Sequence, residues 1–155
     1  MPGLIERRLA ERGIVLPEPP MPVASYVPAV LSGNLLFVSG QLSRVAGAVI
    51  DGKLGVDLGL SEGRHGARLA ALNVLAQAKM ALGDLDRVTR VVRLSGYVNA
   101  AADFIDMPSV VNGASDLFGE IFGPAGAHSR IAVGVASLPL GAAVEIDAVL
   151  EVAPS

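Results

Sequence analysis

The segment from Val144 to Val152 near the end of the chain alternates apolar and polar residues, and it constrains the fold more than any other segment. Two sets of side chains alternate along it: Val144, Ile146, Ala148, Leu150 and Val152 on one side, and Glu145, Asp147, Val149 and Glu151 on the other. A period of two places these sets on opposite faces of a sheet. One face is predicted to pack on helices, and the other cannot be buried within one subunit.

The remaining elements follow from periodicity and from helix and turn signals. Helices are predicted over 3–12, over 61–82 with Ser61 as N-cap and Gly83 as stop, and over 108–122, closed by Gly123-Pro124. Strands are predicted over 27–30 and 35–38, joined by a turn at 32–34, and over 88–98. Ser39-Gly40-Gln41 is expected to end the second strand, 44–60 to be a loop with one short strand, and two final segments to form a hairpin through the turn at 138–141.

The order ββ-α-β-α-ββ predicts an α+β fold, in which two long helices cover one face of a mainly antiparallel or mixed sheet. The length of 155 residues fits one domain, 1–155. Residues 1–25 are interpreted as an N-terminal extension, first helical and then extended, because prolines between Pro17 and Pro22 exclude a helix.

Composition narrows the function classes. The chain is 52% hydrophobic, yet charges, glycines or prolines interrupt each apolar run before the roughly 20 residues that a membrane span needs. Burial of the excess apolar surface against further copies of the chain is expected. A net charge of −3 and 4% aromatic residues argue against a nucleic-acid partner. The absence of cysteine removes thiol chemistry, and with no export signal recognised a cytoplasmic location is expected.

Arg130 and Glu145 stand in otherwise apolar strands, and each needs a partner. A guanidinium presents a planar fork of donors that suits bidentate capture of a carboxylate, from the protein or from a ligand. An internal ion pair between Arg130 and Glu145 is the structural alternative to ligand binding. The chain has two isolated histidines and no cysteine, so its sequence shows no cluster of metal ligands. It also contains neither a phosphate-binding loop nor the nucleophile elbow of serine hydrolases.

Three segments resemble one known family. They are 26–41, which contains Tyr26 and Ser39-Gly40-Gln41; 104–112, which ends at Asn112; and 130–147, which contains Leu138-Pro139 and Val144-Glu-Ile-Asp147. Together they span roughly residues 24–152 and are similar in type and order to the RidA/YjgF family of enamine/imine deaminases. The resemblance implies a chorismate-mutase-like fold, assembled as a homotrimer around a central barrel of sheets, with ligand clefts between subunits.

The resemblance also implies roles for single residues. Arg130 would hold the substrate carboxylate, and Glu145 would orient or activate the attacking water, unless it pairs with Arg130 or a backbone amide. Tyr26, Ser39, Gly40 and Asn112 would border or bind the substrate. Structural alternatives remain for three of them, namely a buried tyrosine at a strand entry for Tyr26, a turn position for Gly40, and backbone capping by Asn112.

Departures from the family pattern concern the rim of the cleft. Ala132 stands where family members often have cysteine, so it cannot supply a thiol. The loop at 44–60, the N-terminal helix and the approach to Arg130 through His128 also differ, and they bear on substrate preference. His128 is a candidate rim residue or simply exposed, whereas His65 is interpreted as a solvent-facing helix residue.

The predicted function is hydrolytic deamination of small reactive 2-enamine or 2-imine acids to 2-keto acids and ammonia, with no cofactor. The chief alternative is a non-enzymatic module that binds a carboxylate metabolite in the same intersubunit cleft. RNA cleavage, an activity also ascribed to the family, is disfavoured by the acidic chain and its few aromatic residues.

Overall fold

The computed structural model describes residues 2–22 and 24–155. Met1 and Val23, which belong to the predicted extension at 1–25, lie outside the described residues. The α-helices within the described part are α1 (Leu4–Glu11), α2 (Leu60–Leu82) and α3 (Met107–Phe122). The strands are β1 (Ala29–Ser32), β2 (Leu35–Leu42), β3 (Arg44–Val45), β4 (Ala48–Val49), β5 (Val88–Asn99), β6 (Ser129–Val135) and β7 (Val144–Val152).

Five strands form one sheet in the order β1-β2-β7-β5-β6. All neighbours are antiparallel except β5 and β6, which are parallel and connected through α3. The predicted α+β class with a mixed sheet is therefore confirmed. The predicted final hairpin is wrong, because β5 lies between β6 and β7. The turn at 138–141 was correctly identified as a chain reversal, but it joins two strands that do not pair.

Several element ends differ from prediction. The loop at 44–60 contains a two-strand hairpin, β3 with β4. α2 begins at Leu60 with Gly59 as its N-cap, and the Glu62 carboxylate accepts a hydrogen bond from the Gly59 amide at 3.0 Å, so Ser61 is not the cap. Ser39-Gly40-Gln41 lies inside β2 rather than at its end, at an irregularity in the pairing with β7.

The two faces of the sheet have different environments, as the alternation in β7 predicts. Its apolar set is buried against the helices, and the intervening residues are half-buried on the other face. That outer face also carries apolar side chains on β1, β2 and β6: Val30, Phe37 and Ile131 are 50%, 44% and 42% exposed. The face away from the helices is thus partly apolar and uncovered in one subunit.

The N-terminal segment packs on the domain. The Asp86 carboxylate accepts hydrogen bonds from the backbone amides of Leu4 and Ile5 at 2.8 and 2.9 Å, which satisfies the first turn of α1. Ile5 and Leu9 join the main core. Further along, the Gln77 side chain on α2 donates to the Pro20 carbonyl at 2.8 Å and ties the proline-rich segment to the helix. No helix among residues 2–22 and 24–155 has both the length and the apolar character needed to cross a lipid bilayer.

Candidate functional site

A cavity of about 580 Å³ opens beside Glu145, and we call it the Glu145 cavity. Its volume lies in the range typical of small-molecule sites. Most of its walls are apolar and come from the proline-rich segment and from the turn after β6. Its lining residues with polar or charged side chains are Tyr26, Gln41, Arg44, Asn73, Gln77 and Glu145. Such a site can hold an organic molecule with a few directed polar contacts.

A bulge in β2 shapes the floor of this cavity. Val38 pairs with Ala148 and Gln41 pairs with Ile146, so β2 has one residue more than β7 between these two pairs. Ser39 and Gly40 lie in this bulge, a feature often found beside functional sites. A side chain at position 40 would collide with the Glu145 side chain, because a carboxylate oxygen, the carboxylate carbon Cδ and the methylene carbon Cγ lie close to an ideal Cβ there, the two carbons at 3.0 and 3.2 Å. Gly40 therefore makes room for Glu145.

Glu145 is half-buried on the outer face of β7. Its carboxylate accepts no hydrogen bond from the described residues. Burial, and secondarily the negative charge of Asp147, raise the pKa of Glu145 above its ordinary value of 4.5. A carboxylate with a raised pKa is a stronger base than an ordinary glutamate. Glu145, the residue predicted to orient or activate water, thus lines a cavity. The described residues stabilise its charged form only incompletely.

Ser39 and Tyr26 are positioned by the same piece of backbone. The Ser39 hydroxyl donates to the Val27 carbonyl at 2.8 Å, and the Ser39 amide donates to the Pro28 carbonyl at 2.9 Å. These bonds hold the segment before β1 against β2, and Tyr26, 49% exposed, lines the cavity. The hydroxyl of Ser39 is used to hold backbone, while Tyr26 and Gly40 lie at the cavity itself.

Arg130 belongs to a second group, which we call the Arg130 cluster: Arg130, Asn112, Ser115 and His128. Arg130 on β6 donates to the Ser115 hydroxyl at 3.0 Å and to the Pro108 carbonyl at 3.1 Å. Residues 108, 112 and 115 are spaced so that they share one face of α3, which places Asn112 beside these contacts. Asn112 is half-buried, and its amide has no hydrogen-bond partner among residues 2–22 and 24–155.

His128 fixes the Ser115 hydroxyl in the Arg130 cluster. Its Nδ1 lies 2.6 Å from the Gly126 carbonyl oxygen, and its Nε2 lies 2.8 Å from the Ser115 oxygen. A carbonyl can only accept, so Nδ1 carries a proton. In the neutral ring the Ser115 hydroxyl then donates to Nε2 while it accepts from Arg130. His128 is half-buried rather than a freely exposed rim residue.

The two groups lie on opposite faces of the sheet in one subunit. Arg130 pairs with Leu94, which is buried in the core, whereas Glu145 pairs with Tyr97. Leu94 and Tyr97 are three residues apart on the regular part of β5, so their side chains point to opposite faces. The alternative of an internal ion pair between Arg130 and Glu145 is not formed. The ion pairs found among the described residues are Arg68 with Glu120 and Lys79 with Glu6.

Three polar residues at the cavity were not predicted: Arg44, Asn73 and Gln77. Asn73 and Gln77 are four residues apart on α2 and buried, which is a detectable signal because both interrupt an otherwise apolar helix face. Asn73 donates to the carbonyls of Leu42 and Arg44 at 3.1 and 3.0 Å. Gln77 approaches Gln41, which in turn donates to the Ser39 carbonyl at 3.0 Å. These amides hold the cavity wall in place.

Comparisons with known proteins agree with this architecture. Residues 6–151 match the family described as "YjgF/chorismate_mutase-like, putative endoribonuclease". "Protein TCP17" of Trypanosoma cruzi is 48% identical over 151 residues, covering 96% of this chain and 94% of that protein. The crystal structure of Atu1372, a protein of unknown function from Agrobacterium tumefaciens, is 45% identical with a TM-score of 0.89, covering 97% of this chain and 94% of the other.

A second crystal structure, a "putative endoribonuclease" from Shewanella oneidensis MR-1, superposes with a TM-score of 0.93 at 38% identity and covers 96% of this chain and 99% of the other. The match to the family extends over nearly the whole chain and includes both the Glu145 cavity and the Arg130 cluster. The resemblance drawn from the sequence motifs is confirmed, and the chain belongs to the RidA/YjgF family.

Proposed function

We propose that this protein hydrolyses small 2-imine acids, formed from their 2-enamine tautomers, to 2-keto acids and ammonia. The observation that carries the proposal is the position of Glu145. It is a half-buried carboxylate with a raised pKa, seated over Gly40 in a cavity that also presents Tyr26. This is the arrangement that a general base for water needs, because burial increases its basicity and the cavity supplies space for the substrate.

The reaction needs few groups. Glu145 takes a proton from a water molecule whose oxygen attacks the imine carbon, and the C=N bond becomes a C–N single bond. The proton then passes to the nitrogen and gives a carbinolamine. Glu145 next moves the remaining hydroxyl proton to the nitrogen, so the C–N bond breaks as C=O forms, and ammonia leaves. Water and imine are converted to keto acid and ammonia with no redox change. Because the imine is already electrophilic, positioning of the water and substrate contributes much of the rate.

We further propose that the complete site lies between subunits of a homotrimer. Arg130 and Glu145 are on opposite faces of one sheet, so a single subunit does not present both to one small substrate. The partly apolar outer face around Phe37 and Ile131 supports assembly through that face. In such an assembly, Arg130 and Asn112 of one subunit would bind the substrate carboxylate beside Glu145 and Tyr26 of its neighbour.

Replacing Arg130 by alanine is expected to lower kcat/KM for freshly generated 2-iminopropionate by about 10- to 100-fold, since a charge-assisted contact to the carboxylate is lost. Hydrolysis is followed as the decay of the imine against the uncatalysed rate. Circular dichroism and size measurements check that the variant folds and assembles, because Arg130 also contacts α3. No acceleration by the wild-type protein, or an unchanged rate in the variant, would contradict the proposal.

Mixed assemblies test whether the site is shared. Arg130→Ala and Glu145→Gln chains are co-expressed with different tags, and the mixed oligomers are isolated. If each site of a trimer takes Arg130 from one subunit and Glu145 from the next, every mixed trimer keeps one intact site in three, and about a third of the activity returns. If Arg130 and Glu145 of the same chain formed one site, the mixed oligomers would recover no activity. Each variant purified alone is the matched control.

Removal of the Ser115 hydroxyl is expected to raise KM for 2-iminopropionate about 2- to 10-fold with little change in kcat, because Arg130 loses a neutral hydrogen bond that orients it. Ser115→Thr keeps the hydroxyl and should restore KM. Steady-state kinetics of Ser115→Ala and Ser115→Thr provide the comparison. A fall in kcat at constant KM would show that Ser115 acts on the chemical step instead.

A carboxylate-binding module without catalysis is the second candidate, supported by the guanidinium of Arg130, which has no acidic partner among the described residues. This candidate predicts saturable binding of 2-keto acids with no imine hydrolysis.

The names of relatives suggest RNA cleavage as a further activity, which the net charge of −3 disfavours. A gel-shift assay with single-stranded RNA at low salt separates this activity from the other two.

A further inference from the structure

Arg44 is a second cationic residue of the Glu145 cavity, separate from the Arg130 cluster. Arg44 and Glu145 are the two charged residues among those that line this cavity. They do not form an ion pair, because no Arg44 nitrogen lies within 4.0 Å of a carboxylate oxygen of any described residue. A carboxylate and a guanidinium therefore line the same cavity without an ion pair between them, and Arg44 also borders a second cavity that Glu18 lines.

The position of Arg44 is fixed, but its guanidinium is not used by the fold. Its backbone carbonyl accepts a hydrogen bond from Asn73 on α2, and its backbone pairs with Val49 in the β3-β4 hairpin. Its Nε is buried and has no hydrogen-bond partner in residues 2–22 and 24–155. A half-buried guanidinium with an unsatisfied donor is costly unless an anion completes it. Backbone contacts thus fix the position of Arg44, while its guanidinium donates no hydrogen bond to the described residues.

We infer that Arg44 binds a second anionic group of the substrate, and that the preferred substrates are 2-imino diacids. This inference rests on the proposed function of Glu145. The imine carbon would lie at Glu145 and the side-chain carboxylate at Arg44, while Leu42, Pro139 and Leu140 supply apolar wall for the methylene groups of the side chain. A planar guanidinium fork is suited to that carboxylate. A cavity of about 580 Å³ is also larger than a three-carbon imino acid requires.

The kinetic test compares two five-carbon imines that differ in the distal charge: 2-iminopentanedioate, generated from glutamate, and 2-iminopentanoate, generated from norvaline. The wild-type protein is expected to prefer the diacid. Arg44→Gln should lower kcat/KM for the diacid by ~10- to 100-fold and change the value for the monoacid less than ~3-fold. Arg64→Gln, at an exposed position of α2, is the matched control. Equal losses on both substrates, or no loss on either, would overturn the inference.

A binding measurement separates this inference from the proposed function. Calorimetry with 2-oxopentanedioate and 2-oxopentanoate requires no turnover. The wild-type protein should bind the diacid more tightly, and Arg44→Gln should abolish that preference. If the preference is present but neither imine is hydrolysed faster than in buffer, the deaminase proposal fails and the role of Arg44 stands. Equal affinity of the wild-type protein for both keto acids would overturn the role of Arg44 directly.

Discussion

Glu145→Gln is expected to lower kcat for 2-iminopropionate hydrolysis by about 10²- to 10⁴-fold, the contribution typical of a general base. Glutamine has nearly the same shape, so it fills the space above Gly40 but cannot accept a proton from water. The half-buried carboxylate and its raised pKa are the features that the substitution removes. Single-turnover and steady-state decay of the imine, measured on the same protein preparation, give the effect on the chemical step.

Binding distinguishes the enzyme from a binding module. Glu145→Gln should retain the wild-type affinity for 2-oxobutanoate, because Arg130 is the residue proposed to bind the carboxylate of the keto acid. Asp147→Asn is the matched control variant. It removes a neighbouring negative charge that raises the pKa of Glu145 but leaves the proposed base in place. A Glu145→Gln protein with wild-type kcat would exclude Glu145 as the base, whatever its affinity for keto acids.

The pH dependence follows from the direction of the pKa shift. The base form of Glu145 is lost as pH falls through its folded-state pKa, which lies above 4.5. As pH is lowered, kcat should therefore begin to decline above pH 4.5. Stability has the opposite sign. The folded protein holds this proton more tightly than the unfolded chain, so stability decreases as pH rises from 4.5 through the folded pKa.

Thermal unfolding checks that sign. Glu145→Gln removes the cost of a half-buried charge and should raise Tm relative to the wild-type protein at pH 7. The difference should shrink as pH falls below 4.5, because Glu145 then becomes protonated in both the folded and the unfolded state. A lower Tm for the variant at pH 7 would mean that the carboxylate is stabilised by contacts other than those described.

The sequence was sufficient for much of the fold because periodicity reports which face of an element is buried. The alternation in β7 identified its core face, and Gly83 marked the end of α2, where it adopts a positive φ of 80°. The predicted β6-β7 hairpin failed for a different reason. Strand order is set by long-range pairing, and a chain reversal at 138–141 is compatible with both adjacent strands and strands separated by β5.

The candidate site was only partly predictable. Motifs identified Glu145, Gly40 and Tyr26, which the structure brings to one cavity. They also identified Asn112 and Arg130, and Arg130 contacts the face of α3 that carries Asn112. Arg44 could not be identified, because a single arginine in a glycine-containing loop has no distinguishing pattern. Its significance comes from the cavity, the Asn73 hydrogen bond and the absence of an acidic partner among the described residues. Such features arise from three-dimensional packing.

Gly40→Ala is expected to lower kcat for 2-iminopropionate about 100-fold while the protein stays folded. The added methyl group meets the Glu145 carboxylate in the β2 bulge. The colliding atoms belong to the end of a flexible side chain, so the carboxylate swings aside and the backbone remains in place. Gly40 has no positive φ, so alanine brings no backbone strain. Displacement of a catalytic group by about 1 Å is enough for a loss of this size.

Two comparisons make this test specific. Gly119→Ala, on α3, adds the same methyl group where nothing lies within 4 Å, and it should keep wild-type activity. The double variant Gly40→Ala with Glu145→Gln should be no slower than Glu145→Gln alone, because both changes act on one group and their effects do not add. If the two losses multiply instead, Gly40 contributes to turnover independently of Glu145, for example by close approach of its backbone to the substrate. A Gly40→Ala protein with full activity would mean that Glu145 does not need its present position, and the assignment of Glu145 as the base would lose its geometric support.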